Sequence, residues 1–312
     1  MKMPEASGMS QGAHAAAVPR VESRKGHAAM AVFPLLVAGS FSLGGLVADK
    51  IDPVALTTLR FVIATAVVGG AALATGQLSR ASLRAPWRYF VMGGLYVVYF
   101  VMMFEALRVA TPLSLSAVFT LTPAFSAVIG WLWLRQRITR RMALALAIGA
   151  AGAIWVVFRG DIRELLAFRI GHGERLLLIG CIFHAAYPAA ARRLSHGEPP
   201  LASLTGVLLA GTVLLALWGW RAIGATDWLA LPALVWLVVL YIAVVSGAVT
   251  FFLVQYAALR LPGAKVMAYT YLTPVWVAGL EVALGHGVPS VSVAAGAVLT
   301  LAALVLLLKD EG

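Results

Sequence analysis

The sequence predicts an all-α integral membrane protein of ten transmembrane helices in two inverted five-helix repeats. Three observations carry this: a 61% hydrophobic, 12% charged composition, apolar runs of membrane-crossing length along most of the chain, and a Leu-Thr-Pro motif that returns half a chain later. A soluble domain carries about 25% charged residues, so the apolar excess here has no soluble core to enter. Crossing the roughly 30 Å hydrocarbon layer takes about 20 apolar residues. Between charged or Pro/Gly-rich breaks, runs of that size fall near 29–48, 54–76, 86–107, 111–134, 141–159, 174–193, 201–221, 231–258, 263–285 and 290–308.

Taken in order, residues 1–27 are polar with Ser, Gly, Pro and scattered charge. They predict a disordered cytoplasmic tail, and the apolar run that follows is too long for the core of a cleaved signal peptide. Spans one to five occupy 28–159, a loop on the far side of the membrane takes 160–173, spans six to ten occupy 174–308, and 309–312 form a second cytoplasmic tail. The net charge of +11 does not point to nucleic acid, because the basic residues lie in short gaps instead of on one domain surface. Groups such as Arg80, Arg84 and Arg88, then Arg135, Arg137, Arg140 and Arg141, then Arg192 and Arg193 concentrate on one side. That excess places both termini in the cytoplasm of a multi-pass inner-membrane protein. Cys181 is the single cysteine, which excludes an intramolecular disulfide and a cysteine metal centre.

Spans four and nine each hold a proline at mid-length, Pro123 in "FTLTPAFSAVIG" and Pro274 in "YTYLTPVWVAGL". In a helix interior proline costs roughly 3 kcal/mol, so helix stability does not account for two of them. Around them "EALRVATPLSLSAVFTLTPAFSAVIGWLWL" lies over "AALRLPGAKVMAYTYLTPVWVAGLEVALG" with one gap. A repeat unit of five spans makes the second copy enter the membrane from the opposite side. Inverted repeats with interrupted spans at matched positions point to a transporter's midplane binding site. The alternative is that both prolines are ordinary membrane-helix kinks patched by neighbours.

Ten spans, two halves and an "ALR" then "LTP" order near the end of each half resemble the drug/metabolite transporter superfamily with its EamA-type repeats. Within it, "VVYFVMMFEAL" in span three, "AAGAIWVVFRGD" closing span five, "FHAAY" in span six and "YTYLTPV" in span nine are most similar to the YddG-type bacterial aromatic amino acid exporters. The resemblance implies a basket of helices around a central cavity, with spans five and ten peripheral, and export of small organic solutes by alternating access. Two departures stand out. Ala38 of "AGSF" stands where the family often has tryptophan, with His184 at the comparable place in span six, and Arg135 and His286 stand where spans four and nine often end in Gly-Glu.

Intramembrane ionisable groups are functional candidates by default. Arg60, about two turns into span two, has two readings. It is a bidentate partner for a substrate carboxylate, or it pairs with Asp49 or Asp52 or snorkels to the interface. His184 is a titratable donor or a satisfied packing group. Glu105 and Arg108, three apart, are placed to pair with each other. Glu281 near one membrane face and Lys265 at the entrance of span nine join Arg60 and Glu105 as candidates for coupling or gating. Mid-span tyrosines need partners for their hydroxyls and so favour a wet cavity over lipid. Tyr96, Tyr99, Tyr187, Tyr269 and Tyr271, with His184, form the expected substrate wall. Trp155 joins them by its match to the subfamily, with an interfacial anchor as its other reading. On span nine, Tyr271 and Pro274 share a face, which selects Tyr271 for the cavity beside the Thr270 carbonyl that Pro274 frees. Phe119 is the matching carbonyl in span four. Both proline breaks, Pro123 and Pro274, are expected to line the cavity.

The cargo expected is amino acids, aromatic and other large neutral ones, with another amphipathic metabolite or drug as the alternative. Too few charges line the predicted cavity for multiply charged phosphates. No serine elbow, His-Glu-x-x-His, phosphate-binding Gly loop or paired catalytic carboxylates occur, so no enzyme, cofactor or metal is expected. A monomer in the bilayer is the expected assembly. Glu105, Glu281 and His184 each permit proton coupling without requiring it.

Overall fold

The computed structural model describes residues 20–78, 85–158, 160–167, 170–258 and 263–309, with side chains at 20–22, 255, 258 and 263–265 left out of the description. Every described element is helical. Helix α1 runs Arg20–Gly45, α2 Pro53–Ala74, α3 Trp87–Leu107, α4 Pro112–Phe119, α5 Thr122–Leu134 and α6 Arg140–Val157. After the short α7 (Ile162–Leu166) come α8 (His172–Leu194), α9 (Pro200–Trp218), α10 (Trp220–Ala225) and α11 (Ala233–Leu240). A π-helical segment, Tyr241–Val249, continues α11 into α12 (Thr250–Ala258). Next, α13 (Gly263–Ala268) passes through a 3-10 segment, Tyr269–Leu272, into α14 (Thr273–Ala283), and α15 (Val291–Leu308) ends the chain.

Among the described residues, eight helices are long and apolar enough to cross a membrane: α1, α2, α3, α4 with α5, α6, α9, α11 with the π segment, and α15. Of the other two predicted spans, α8 carries His172, Glu174, Arg175, His184, Arg192 and Arg193, and α13–α14 is interrupted by its 3-10 turn. The tail expected to be disordered through residue 27 is corrected in part. Helix α1 starts at Arg20, and His27 Nδ1 is 2.9 Å from the Tyr269 hydroxyl, so tertiary contact extends the helix past the apolar run. Residues 1–19 lie outside the described residues.

Helix starts follow local chemistry. Asp52 caps α2 by accepting from the Val54 and Ala55 N–H groups at 2.8 and 3.2 Å, with Pro53 next. Thr111 and Pro112 open α4, Thr139 opens α6 and Ser290 opens α15 in the same way. The two Leu-Thr-Pro breaks share one backbone. Leu121 has φ −77° and ψ −15°, and Leu272 has φ −78° and ψ −14°.

Helix pairing uses small residues, as expected where lipid offers no hydrophobic drive to association. Helix α3 packs on α8 and α9, α2 on α9 and the π segment, α1 on α12 and α14, and α6 on α15. A Cβ on Gly93 of α3 would meet the Val207 carbonyl and Gly211 backbone of α9 at 2.7 and 2.8 Å. Gly152 and Gly296 make the same close approach between α6 and α15. The main buried core joins α1 through Phe41, α3 through Met103 and Phe104, α4 through Leu115 and Val118, and α11 through Val235, Val238 and Val239.

Candidate functional site

Helical spacing on α3 puts Tyr96, Tyr99 and Phe100 on one face, and spacing on α8 does the same for His184 and Tyr187. The packing of α3 on α8 brings the two sets together. The Tyr96 and Tyr187 rings stack with centroids 4.0 Å apart and planes 24° from parallel. His184 lies 4.4 Å from Tyr99 and 5.9 Å from Tyr96, and Phe100 is 4.7 Å from Tyr99. Phe119, the last residue of α4 before the Pro123 break, closes the group at 5.6 Å from His184 and 6.1 Å from Tyr99. The break thus ends α4 where its terminal ring reaches the cluster. Tyr99 and Phe119 are buried, whereas Tyr96, Phe100, His184 and Tyr187 keep accessible surface.

Arg60 completes the group from α2. Its guanidinium carbon sits 3.6 Å from the Phe100 ring centroid, a cation–π distance. The residue is 4% exposed, and its Nη1 has no hydrogen-bond partner. Neither sequence-based structural explanation fits this placement: Asp52 is committed to the α2 cap, Asp49 is exposed and makes no ion pair with Arg60 among the described residues, and a buried side chain has not snorkelled. Across the cluster, His184 Nδ1 is likewise buried without a partner. A cation, an imidazole and tyrosine hydroxyls among aromatic faces are equipped to hold a small amphipathic solute by stacking and one charge-assisted contact.

The other predicted positions lie elsewhere. Tyr269 pairs with His27 beside Met30 and Val266. Tyr271 is fully buried with Ala145, Ala303 and Leu304 where α6 meets α15, in space that Gly149 leaves open, and its hydroxyl has no partner. The carbonyl of Thr270 accepts from the Thr273 N–H, so this break re-satisfies the group that Pro274 frees. Trp155 Nε1 donates to the Ser292 carbonyl at 2.8 Å, an α6–α15 link. Glu105 pairs with Arg108 at 3.3 Å on the surface. Glu281 meets His286 Nδ1 at 2.7 Å, leaving its Oε1 buried and unpartnered. The Lys265 side chain lies outside the described residues. Two surface depressions, one along Trp131 to Ile138 and one around Lys50, Asp52 and Asp227, contain none of the predicted site residues.

Because the Tyr271 hydroxyl is buried and unpaired, Tyr271→Phe is expected to leave stability unchanged or raise it by up to about 1 kcal/mol, with solute flux intact. Thermal unfolding in detergent and flux in proteoliposomes check this. A fall in flux at unchanged stability would return Tyr271 to the site.

Sequence reading missed two groups. Phe100 went unmarked, although it lies four residues from Tyr96 and so on its face, and Phe119 was marked for its carbonyl and not for its ring. Arg88, grouped with the topology cations, is 1% exposed and forms a 2.6 Å ion pair with Glu198 of the α8–α9 loop while also donating to the Ala85 and Leu194 carbonyls. Burial acts to raise the Glu198 pKa, but hydrogen bonds from the His196 N–H, the Arg88 guanidinium and its own backbone outweigh this and hold it down to about 2.

A family model described as the EamA-like transporter family matches the chain twice, over residues 24–158 and 172–309. The chain is 23% identical over 185 residues to "Uncharacterized transporter YyaM" of Bacillus subtilis (strain 168), covering 59% of this chain and 61% of that protein. The match therefore spans about three fifths of that curated relative. A solved structure titled "Crystal structure of protein" superposes with a TM-score of 0.68 at 22% identity, over 92% of this chain and 96% of that one, a likeness of fold.

Proposed function

Because the chain belongs to the EamA-like transporter family, we propose that it is a secondary transporter exporting amino acids, aromatic and other large neutral ones, across the bacterial inner membrane by alternating access. The ring cluster carries this reading. Its walls come from α3 in the first matched segment and α8 in the second, with Phe119 delivered by a proline break. Rings at the junction of two halves suit a path that opens as one half moves against the other. Both termini face the cytoplasm, and the working unit is a monomer.

The helix pairings support ten passes in two inverted halves around a central cavity. Exchanging the halves turns α1 on α14 into α8 on α4 and α5, and α3 on α8 into α12 on α1. It turns α3 on α9 into the π segment on α2, and α4 on α6 into the 3-10 segment on α15; all of these pairings occur. The pairs α2 with α9 and α6 with α15 map onto themselves. Equal backbone angles at Leu121 and Leu272 add a local match, and five spans per unit reverse the second copy.

Counterflow in proteoliposomes with labelled phenylalanine, threonine and a lipophilic cation tests the cargo. Phenylalanine is expected to exchange fastest, threonine more slowly and the cation not at all. Exchange of the cation alone would replace the amino acid reading with a drug exporter.

A further inference from the structure

The buried guanidinium among the rings says more about the cargo than the rings do. A buried charge without a counter-ion is costly, and in a bilayer an ionisable side chain is retained for what it binds. Arg60 makes no ion pair among the described residues. Acidic side chains of the surrounding helices have other partners: Asp52 caps α2, Glu105 pairs with Arg108, Glu174 accepts from Ser114 at 2.6 Å, and Glu281 meets His286. Phe100 of α3 covers one face of the guanidinium. On its other side is the π segment, where Gly247 has no side chain and a Cβ would lie 3.9 Å from Nη2. Irregular π turns recur at functional sites. The guanidinium therefore has one ring face beneath it, an unsatisfied Nη1, and glycine backbone alongside.

We propose that Arg60 and the rings on α3 and α8 form a carboxylate site whose ligand class is bulky aromatic monocarboxylates, with the α-ammonium of an amino acid dispensable. This rests on the transport reading above. A carboxylate supplies the missing acceptor in a charge-assisted pair, and its apolar body stacks on Phe100 and the tyrosines. An ammonium has no carboxylate to meet here and is repelled by the same fixed cation. The cluster thus reads the acid end of a zwitterion.

The wild-type protein in proteoliposomes, assayed for inhibition of labelled phenylalanine exchange, tests this without any variant. Competitors are 3-phenylpropionate, which lacks the ammonium, and phenethylamine, which lacks the carboxylate. 3-Phenylpropionate is expected to compete at least as well as unlabelled phenylalanine, and phenethylamine about ten-fold worse or not at all. In Arg60→Met, whose apolar side chain keeps most of the volume, 3-phenylpropionate binding read by thermal shift is expected to weaken about ten-fold or more, with Arg60→Lys intermediate. Phenethylamine matching phenylalanine, or an unchanged 3-phenylpropionate shift in folded Arg60→Met, overturns the carboxylate site. If labelled phenylalanine does not exchange but labelled 3-phenylpropionate does, the amino acid reading fails and the carboxylate site stands.

Discussion

Arg88→Ala is expected to lower the unfolding free energy by about 3 kcal/mol, the range in which removing one partner of a buried ion pair falls. The side chains of Arg88 and Glu198 are 1% and 7% exposed, so truncation strands a carboxylate with little water and leaves the Leu194 carbonyl short of a donor. Water at the membrane edge offsets part of that, which places the effect at the lower end of the range. Glu198→Gln keeps a hydrogen-bond acceptor and should cost about 1 kcal/mol. The two variants also separate by pH. The Glu198 carboxyl is held down to about 2 against its ordinary 4.5, so the pair contributes stability that is complete above 4.5 and is lost as pH falls toward 2. Wild-type unfolding temperature in detergent should therefore fall over that window more steeply than that of Glu198→Gln. Parallel profiles would show that the pair does not stabilise the fold. Because it joins the start of α3 to the connection between α8 and α9, it also ties together the two helices that carry the rings.

The parts of this architecture written in local pattern were legible, and those made by distant contact were not. Apolar run length located the helices, and the caps at Asp52, Thr111 and Ser290 that open three of them are local side-chain chemistry of the same kind. Repeated Leu-Thr-Pro marked both breaks. Arg88 and Glu198, by contrast, are 110 positions apart, and no spacing rule connects them, so Arg88 read as one more topology cation. The π segment looked like an unbroken apolar run. Its wide turns accompany contacts with α1, where the Tyr241 hydroxyl donates to the Leu36 carbonyl and Ser40 bonds Ser246. For Tyr271, helical spacing relates the ring to Pro274 three residues on, but no spacing rule says which neighbouring helices that face meets, and the ring lies buried in the α6–α15 seam. Tyr96, Tyr99, His184 and Tyr187 were found because polar aromatics at mid-span stand out by type, whereas Phe100 and Phe119 looked like ordinary apolar residues.

Tyr99→Ala is expected to reduce phenylalanine counterflow at least ten-fold, the largest functional effect among the ring positions. Tyr99 is the buried tyrosine of the cluster, with Phe100, His184 and Phe119 at 4.7, 4.4 and 6.1 Å. Removing its ring lets the α4 terminus and α8 move into the space, so stacking is lost together with the spacing of the remaining rings. A buried aromatic reduced to alanine also costs about 3 kcal/mol of stability, so loss of flux alone would be ambiguous. Tyr99→Phe resolves this by keeping the ring and its packing and deleting only the hydroxyl, and flux within about three-fold of wild type is expected if stacking dominates. Tyr99→Leu fills part of the volume without an aromatic face and should insert and purify normally while remaining slow. Monodisperse elution of all three from size-exclusion columns establishes that folded protein is compared. Wild-type flux in folded Tyr99→Leu would mean that the rings form packing, and that the solute crosses elsewhere.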